Sequence, residues 1–342
     1  MRLLWRWMTM NKTVAIYYEL LKELQERKFD SAKYVHRKYI CQNKVGIIYS
    51  LSVEERLRGL AIPADNMGKE MNFPIWKGIK IDLVVLPEYS EDDQMFIELE
   101  QMPETEGYIF EIVAEDLRSG LEKKPDDKGC SESTYEILKK WKDFFATGKS
   151  LVLTGIRAQG LYGELLFLKE LILGLGTKSV YMWAGGSNTH DFYVKRNAIE
   201  IKTTSTQAPY FAHINSEYQL DNKDVNGQLY LRMYALRRDN NGGQRLSQIV
   251  TDIRALLKMD FSSMNLFEDK LQKAGYIDAA ADCYIEGYTI REIYSFKVAE
   301  NFPRIIRKNI PVGVYDLEYA ISIDQCKDFA IEDEKLIEEI TR

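Results

Sequence analysis

The sequence predicts a mixed α/β protein, a central mixed sheet flanked by helices, with an α+β domain ahead of it. Three observations carry that expectation. Helical and strand periodicities of apolar residues alternate along the chain, as they do where helices and a sheet share a core. At 342 residues the chain exceeds what one ordinary core fills, so two or more domains are expected. The run from Thr154 to Thr204 then places a long amphipathic helix before a tight hairpin that gathers carboxylates and a lysine.

Residues 11–28 read as a helix, with Asn11 or Thr13 available as its cap. Strand patterns follow at 39–41, 45–51, 79–86 and 95–99, around a Gly/Pro-containing loop at 63–74. Trp76, Tyr89 and Tyr108 are candidates for a binding surface, with core packing as the alternative. Residues 108–120 read as a helix, and LEKKPDDKGC as a polar linker. Ser133 and Glu136 have the spacing of a capping box that opens a further helix, which Gly148 ends. The expected organisation is an α+β domain over 1–120, a linker and bridging helix over 121–150, the site-bearing core over 151–260, and an α/β extension packed on that core over 261–342.

Within the core, GLYGELLFLKELI is an amphipathic helix, 179–183 a strand, and Gly185-Gly186 a turn into DFYV, KRN and AIEIKTT, two strands joined tightly. Residues 210–214 are weakly and 229–236 strongly strand-like, and Gly242-Gly243 breaks the chain before a helix at 246–258. A helix at 264–274, strands at 283–286, 292–298 and 312–322, and a turn at Phe302 to Ile305 complete the pattern.

Side chains two apart on a strand share a face, so Glu200 and Lys202 point one way and Ile199, Ile201 and Thr203 the other. A turn at 195–197 brings Asp191 beside Glu200. Two carboxylates converging with a backbone carbonyl make a hard-oxygen site that suits Mg²⁺, with Mn²⁺ as substitute. An adjacent ammonium, Lys202, helps deprotonate or orient the attacking oxygen and then stabilises charge on the phosphorane, a combination that phosphodiester hydrolysis requires. Glu164 has Leu161, Phe167 and Leu168 at helical spacing, which sets its carboxylate on or beside a buried stripe where it needs a partner or a cation. The candidate catalytic set is therefore Glu164, Asp191, Glu200 and Lys202, the three acids also being candidate metal ligands. The competing reading is a solvated hairpin whose charges are incidental.

These residues resemble the PD-(D/E)XK nuclease superfamily, the fold of many type II restriction endonucleases and of Holliday-junction and RecB-type nucleases. GLYGEL, the Trp followed by GG, HDF, IEIKTT, QLD and FPRI resemble, more narrowly, a bacterial family named only as PD-(D/E)XK motif proteins. His190 stands where the superfamily often has proline. The resemblance implies a restriction-endonuclease-like core, Mg²⁺-dependent cutting of DNA, and a setting in restriction or phage defence beside a partner ATPase or methyltransferase. It also marks Gln219 as a candidate to contact substrate or metal-bound water, a turn-stabilising role being the preferred alternative. Arg304 and Arg307 are brought together by the FPRI turn as candidates to meet phosphates. A catalytically silent fold that binds DNA or scaffolds a complex remains the alternative function, and a homodimer is open.

Composition bounds these readings. Net charge is −6, against the basic balance usual for non-specific DNA binders, and eleven acids with no Lys or Arg fall between Glu88 and Asp116. Arg232, Arg237, Arg238, Arg245, Arg254 and Lys258 cluster after the hairpin. Cys41, Cys130, Cys283 and Cys326 form no zinc spacing and are expected reduced in a cytoplasm. His36, His190 and His213 are too scattered for a His-based metal site, although His190 and His213 approach the hairpin. No apolar run is long enough to span a membrane, and no phosphate loop of the GxxxxGK[ST] kind is present to support a nucleotide enzyme.

Overall fold

The computed structural model describes residues 12–26, 32–66, 68, 70–74, 78–89, 94–123, 129–146, 152–186 and 188–342. The chain divides into two compact units, Met1–Leu151 with Asp278–Asp282, and Val152–Ile277 with Cys283–Arg342. Each combines helices with a sheet, and the class is mixed α/β.

The first unit comprises α1 (Lys12–Glu26), β1 (Tyr34–Ile40), β2 (Gly46–Ser52), β3 (Arg58–Pro63), β4 (Ile79–Val85), β5 (Met95–Gln101), α2 (Gly107–Glu122) and α3 (Cys130–Ala146). The strands form one antiparallel sheet in the order β1-β2-β3-β5-β4. Helix α1 buries Thr13, Tyr17, Leu20 and Leu24, one stripe at helical spacing, and the Tyr17 hydroxyl donates to Gly59 O at 2.6 Å. Strand β3 was not expected. Its Gly59 to Ile62 are buried without alternation, so the period-2 signal of a half-exposed strand is missing. Helix α3 begins at Cys130, which puts Ser133 inside the helix rather than at its cap. Asn11, Trp76 and Gly148 lie outside the described residues.

The second unit comprises α4 (Gly155–Leu175), β6 (Phe192–Val194), β7 (Asn197–Thr204), β8 (Phe211–Ile214), β9 (Leu229–Arg238), β10 (Gln244–Arg245), α5 (Leu246–Leu257), α6 (Phe261–Lys273), β11 (Gly287–Lys297), β12 (Tyr319–Ser322), β13 (Ala330–Ile331) and α7 (Asp333–Thr341). Its main sheet runs β10-β11-β9-β7-β6, with β13 on β11 and a separate β12-β8 pair. Strands β7 and β9 are parallel and the other pairings antiparallel, which makes the sheet mixed. Residues 179–182 are not a strand but part of a 3-10 turn, Thr177–Met182, whose Val180 carbonyl accepts from the Lys270 ammonium at 3.0 Å, and only Trp183 pairs, in a single antiparallel bridge to Phe192. Residues 283–286 form no strand, and of 312–322 only β12 is extended.

On β9, Leu229, Leu231, Met233 and Ala235 join Ala198, Ala212, Ile214, Phe296 and Ile321 in one buried cluster. The alternate residue Arg232, 3 % exposed, donates to Glu170 of α4 at 2.7 Å and to Asp333 of α7 at 3.0 Å. One buried guanidinium thus ties two helices to the central strand, and removing it leaves both carboxylates without their cation. Among the described residues no helix is long and apolar enough to cross a membrane.

Gly163 sets how closely α4 approaches β7. A Cβ there would stand 2.2 Å from Thr203 Cγ2, well inside contact distance. Gly163→Ala, which in an exposed helix would stabilise, should instead lower unfolding stability by about 1–3 kcal/mol as α4 is pushed off the sheet. Urea denaturation of the two proteins checks this; an equal or higher midpoint for the variant would contradict it.

Candidate functional site

The hairpin register places the acids. Phe192 pairs with Ile199 and Val194 with Asn197, leaving Lys195 and Arg196 as the turn, Lys195 at φ +54°. One further step along that register sets Asp191 opposite Glu200. Asp191 Oδ2 accepts from the Ile201 amide at 2.7 Å, and its carbonyl accepts from Ala184 N at 2.8 Å, so the residue is fixed at both ends.

Glu200 is 1 % exposed. Its Oε1 lies 2.8 Å from Lys202 Nζ, while its Oε2 is buried with no hydrogen-bond partner. Lys202 Nζ also donates to Gln219 Oε1 at 2.9 Å, and that oxygen accepts in turn from Asn215 N at 2.9 Å. Glu164 comes from α4, and its Oε2 accepts from the indole Nε1 of the buried Trp183 at 2.8 Å. The chain can turn after Trp183 because Gly185, at φ +61°, carries no Cβ; one would stand 2.8 Å from the Lys270 Cβ.

Glu164, Asp191, Glu200, Lys202, Gln219 and His213 all line one cleft of about 640 Å³. Arg304 and Arg307 are not among its lining residues. Arg304 donates to Leu220 O, and Arg307 donates to Glu217 Oε1 at 3.4 Å and Val314 O at 2.7 Å, with its guanidinium 4.9 Å from the Tyr315 ring centroid. Both brace the segment that presents Gln219. His190 also lies off the cleft, its Nδ1 3.3 Å from the Tyr193 hydroxyl. The indole of Trp183 was missed from the sequence, although a buried tryptophan N–H ordinarily needs an acceptor and Glu164 was a nearby carboxylate without one.

Electrostatically the centre is unfinished. Burial raises the pKa of Glu164 well above its ordinary value, and Asp191 and Glu200 raise it further against the Trp183 indole and Lys202. Burial raises Asp191 too, opposed by the Ile201 amide and Lys202. Glu200 is pushed up to about 8 by burial and by Asp191, despite Lys202. When ionised, three carboxylates face one ammonium, leaving two negative charges over.

That excess and the orphaned Glu200 Oε2 fit a divalent hard cation. Among the described residues no three His, Cys, Asp or Glu side chains stand preassembled around one metal position. Mg²⁺ needs no such cage, since it keeps several waters and is typically held by one or two carboxylates plus substrate phosphate. Asp191 and Glu200 are the pair that fits; Glu164 is engaged by Trp183.

The model of a protein family described as "Putative PD-(D/E)XK family member, (DUF4420)" matches residues 6–324. No curated protein and no solved structure matches the chain.

The raised Glu200 pKa fixes the sign of a pH effect. At Glu200 the folded metal-free protein holds a proton that the unfolded chain releases near the ordinary value of 4.5, so the contribution of this residue to stability falls as pH rises from there to about 8 and levels above it. Glu200→Gln removes this penalty. In thermal unfolding without metal, its melting temperature should exceed that of the wild type by an amount that grows with pH, at roughly 2–4 °C per kcal/mol. A gap that closes with rising pH would contradict the assignment.

Proposed function

The chain belongs to the DUF4420 family of PD-(D/E)XK members, and from that membership and the cleft's geometry we propose that it is a Mg²⁺-dependent endonuclease hydrolysing DNA phosphodiester bonds. The observation that carries the reading is Glu200, buried, with one oxygen on Lys202 and the other without a partner, opposite a fixed Asp191. Hard cations and phosphate esters are the ligands such a set is suited to hold.

Asp191 and Glu200 would hold the metal, with Mn²⁺ as substitute. When bound, the ion supplies Lewis-acid polarisation of the phosphate and neutralises its charge. Lys202 does the remaining work at the reacting atoms. An ammonium has three N–H donors, of which two are aimed at Glu200 Oε1 and Gln219 Oε1, so the third is directed by the other two. It is placed to orient the attacking water and then to stabilise charge on the phosphoryl oxygen as the new P–O bond forms and the ester oxygen leaves. Gln219 accepts from Lys202 and fixes its ammonium, while lining the cleft itself. Glu164, held by Trp183, stands beside the ligand pair, and a bound cation would draw its buried carboxyl back toward the ionised form.

We place this activity in restriction or phage defence in the cytoplasm, working with a partner ATPase or methyltransferase. What supports that setting is the family likeness of the motifs.

Incubating plasmid DNA with the protein and Mg²⁺ or Mn²⁺ tests the reading. The wild type should nick or linearise the plasmid, and Lys202→Ala should cut roughly 10²–10³-fold more slowly, the usual scale for losing a transition-state charge stabiliser. Equal cutting by both proteins would remove the mechanism. Retained DNA binding with no cutting under either metal would favour a catalytically silent fold.

A further inference from the structure

Two glycines stand three residues apart on α4, and the molecule uses them differently. Gly163 is required by Thr203. At Gly160 an added Cβ would meet nothing within 4 Å. Glycine inside a helix is less stable than alanine by about 0.5–1 kcal/mol. No contact within the described protein accounts for that loss.

Gly160 lines the cleft of Asp191, Glu200 and Lys202. Arg157 precedes it by three residues and Glu164 follows it by four, so the three share one face of α4. Arg157 is exposed, lines the same cleft, and among the described residues its guanidinium has no ion-pair partner. Arg238, the other arginine of the cleft, is 3.5 Å from Glu286 and so already engaged. Along the helix axis Arg157 is about 10 Å from Glu164, too far to serve the same phosphate.

We infer that the Arg157–Gly160 face of α4 is a docking subsite for the sugar-phosphate backbone of the strand being cut. The strand passes over Gly160, where no Cβ holds it off, and Arg157 takes the oxygens of a phosphate neighbouring the one that reacts. This rests on the nuclease reading of the cleft. A second feature marks where such a ligand ends: Glu200 Oε2, fully buried and unpartnered, lines the same space. The subsite is backbone-directed, since a guanidinium fork matches the oxygens of a phosphate.

The test measures binding of a short fluorescent DNA duplex to the full chain by anisotropy, with Ca²⁺ in place of Mg²⁺, across a salt series. Gly160→Leu should weaken binding roughly tenfold or more while its unfolding midpoint stays equal to or above that of the wild type. Arg157→Ala should reduce the slope of log affinity against log salt by about one. A folded Gly160→Leu that binds like the wild type, an unchanged slope in Arg157→Ala, or a Gly160→Leu that is destabilised would each overturn the subsite. If those results accompany normal plasmid cutting by the wild type, the nuclease reading survives and only the subsite falls. If the wild type neither binds nor cuts DNA, both fall together.

Discussion

Everything in the second unit is arranged around a carboxylate that the protein buries and only half satisfies. Glu200 is taken out of water on β7, given one ammonium, and left with one oxygen unpaired beside a second buried acid. An isolated buried charge would cost several kcal/mol or be neutralised by a proton, and the raised pKa values of Glu164, Asp191 and Glu200 are that cost expressed as proton affinity. Groups of this kind persist where a ligand completes them. The fold tolerates the strain because its stability comes from elsewhere, chiefly the apolar cluster on the face of β9 that carries Leu229, Leu231 and Met233.

Rigidity follows from the same requirement. Asp191 is clamped through Ile201 N and Ala184 N, Lys202 through Gln219, and Gln219 through Asn215 N. Behind that loop stand Arg304 and Arg307, so a segment from late in the chain supports a lysine far earlier in it. Helix α4 comes close enough to contribute Glu164 because Gly163 admits Thr203, and it is held to β9 by the buried Arg232. Side chains locked by such supports are what a reaction geometry requires.

Much of the site was legible because its logic is local. Period-2 alternation around Glu200 and Lys202 and the tight turn at Lys195 and Arg196 set the geometry of Asp191 within a few residues. Helical spacing set Glu164 beside a buried stripe, where its carboxylate needs a partner. What escaped depends on distant partners. The role of Trp183 requires knowing that α4 lies beside it, and Gln219 reaches Lys202 across 17 positions. Strand β3 shows no alternation because it is fully buried, and the strand-like pattern of 179–182 gives way to a 3-10 turn whose Val180 carbonyl is held by Lys270, far along the chain. Arg304 and Arg307 read as phosphate ligands from their charge and the turn that brings them together; their structural partners, Leu220 O and Glu217, are invisible to a local pattern.

The central claim is that the unpaired oxygen of Glu200 is held for a divalent cation. Titrating Mn²⁺ into the metal-free protein by calorimetry measures it directly. Stoichiometric binding is expected for the wild type and for Arg304→Ala, and its loss in Glu200→Gln and in Asp191→Asn. Binding that survives Glu200→Gln unchanged, or no binding by a folded wild type, would contradict it.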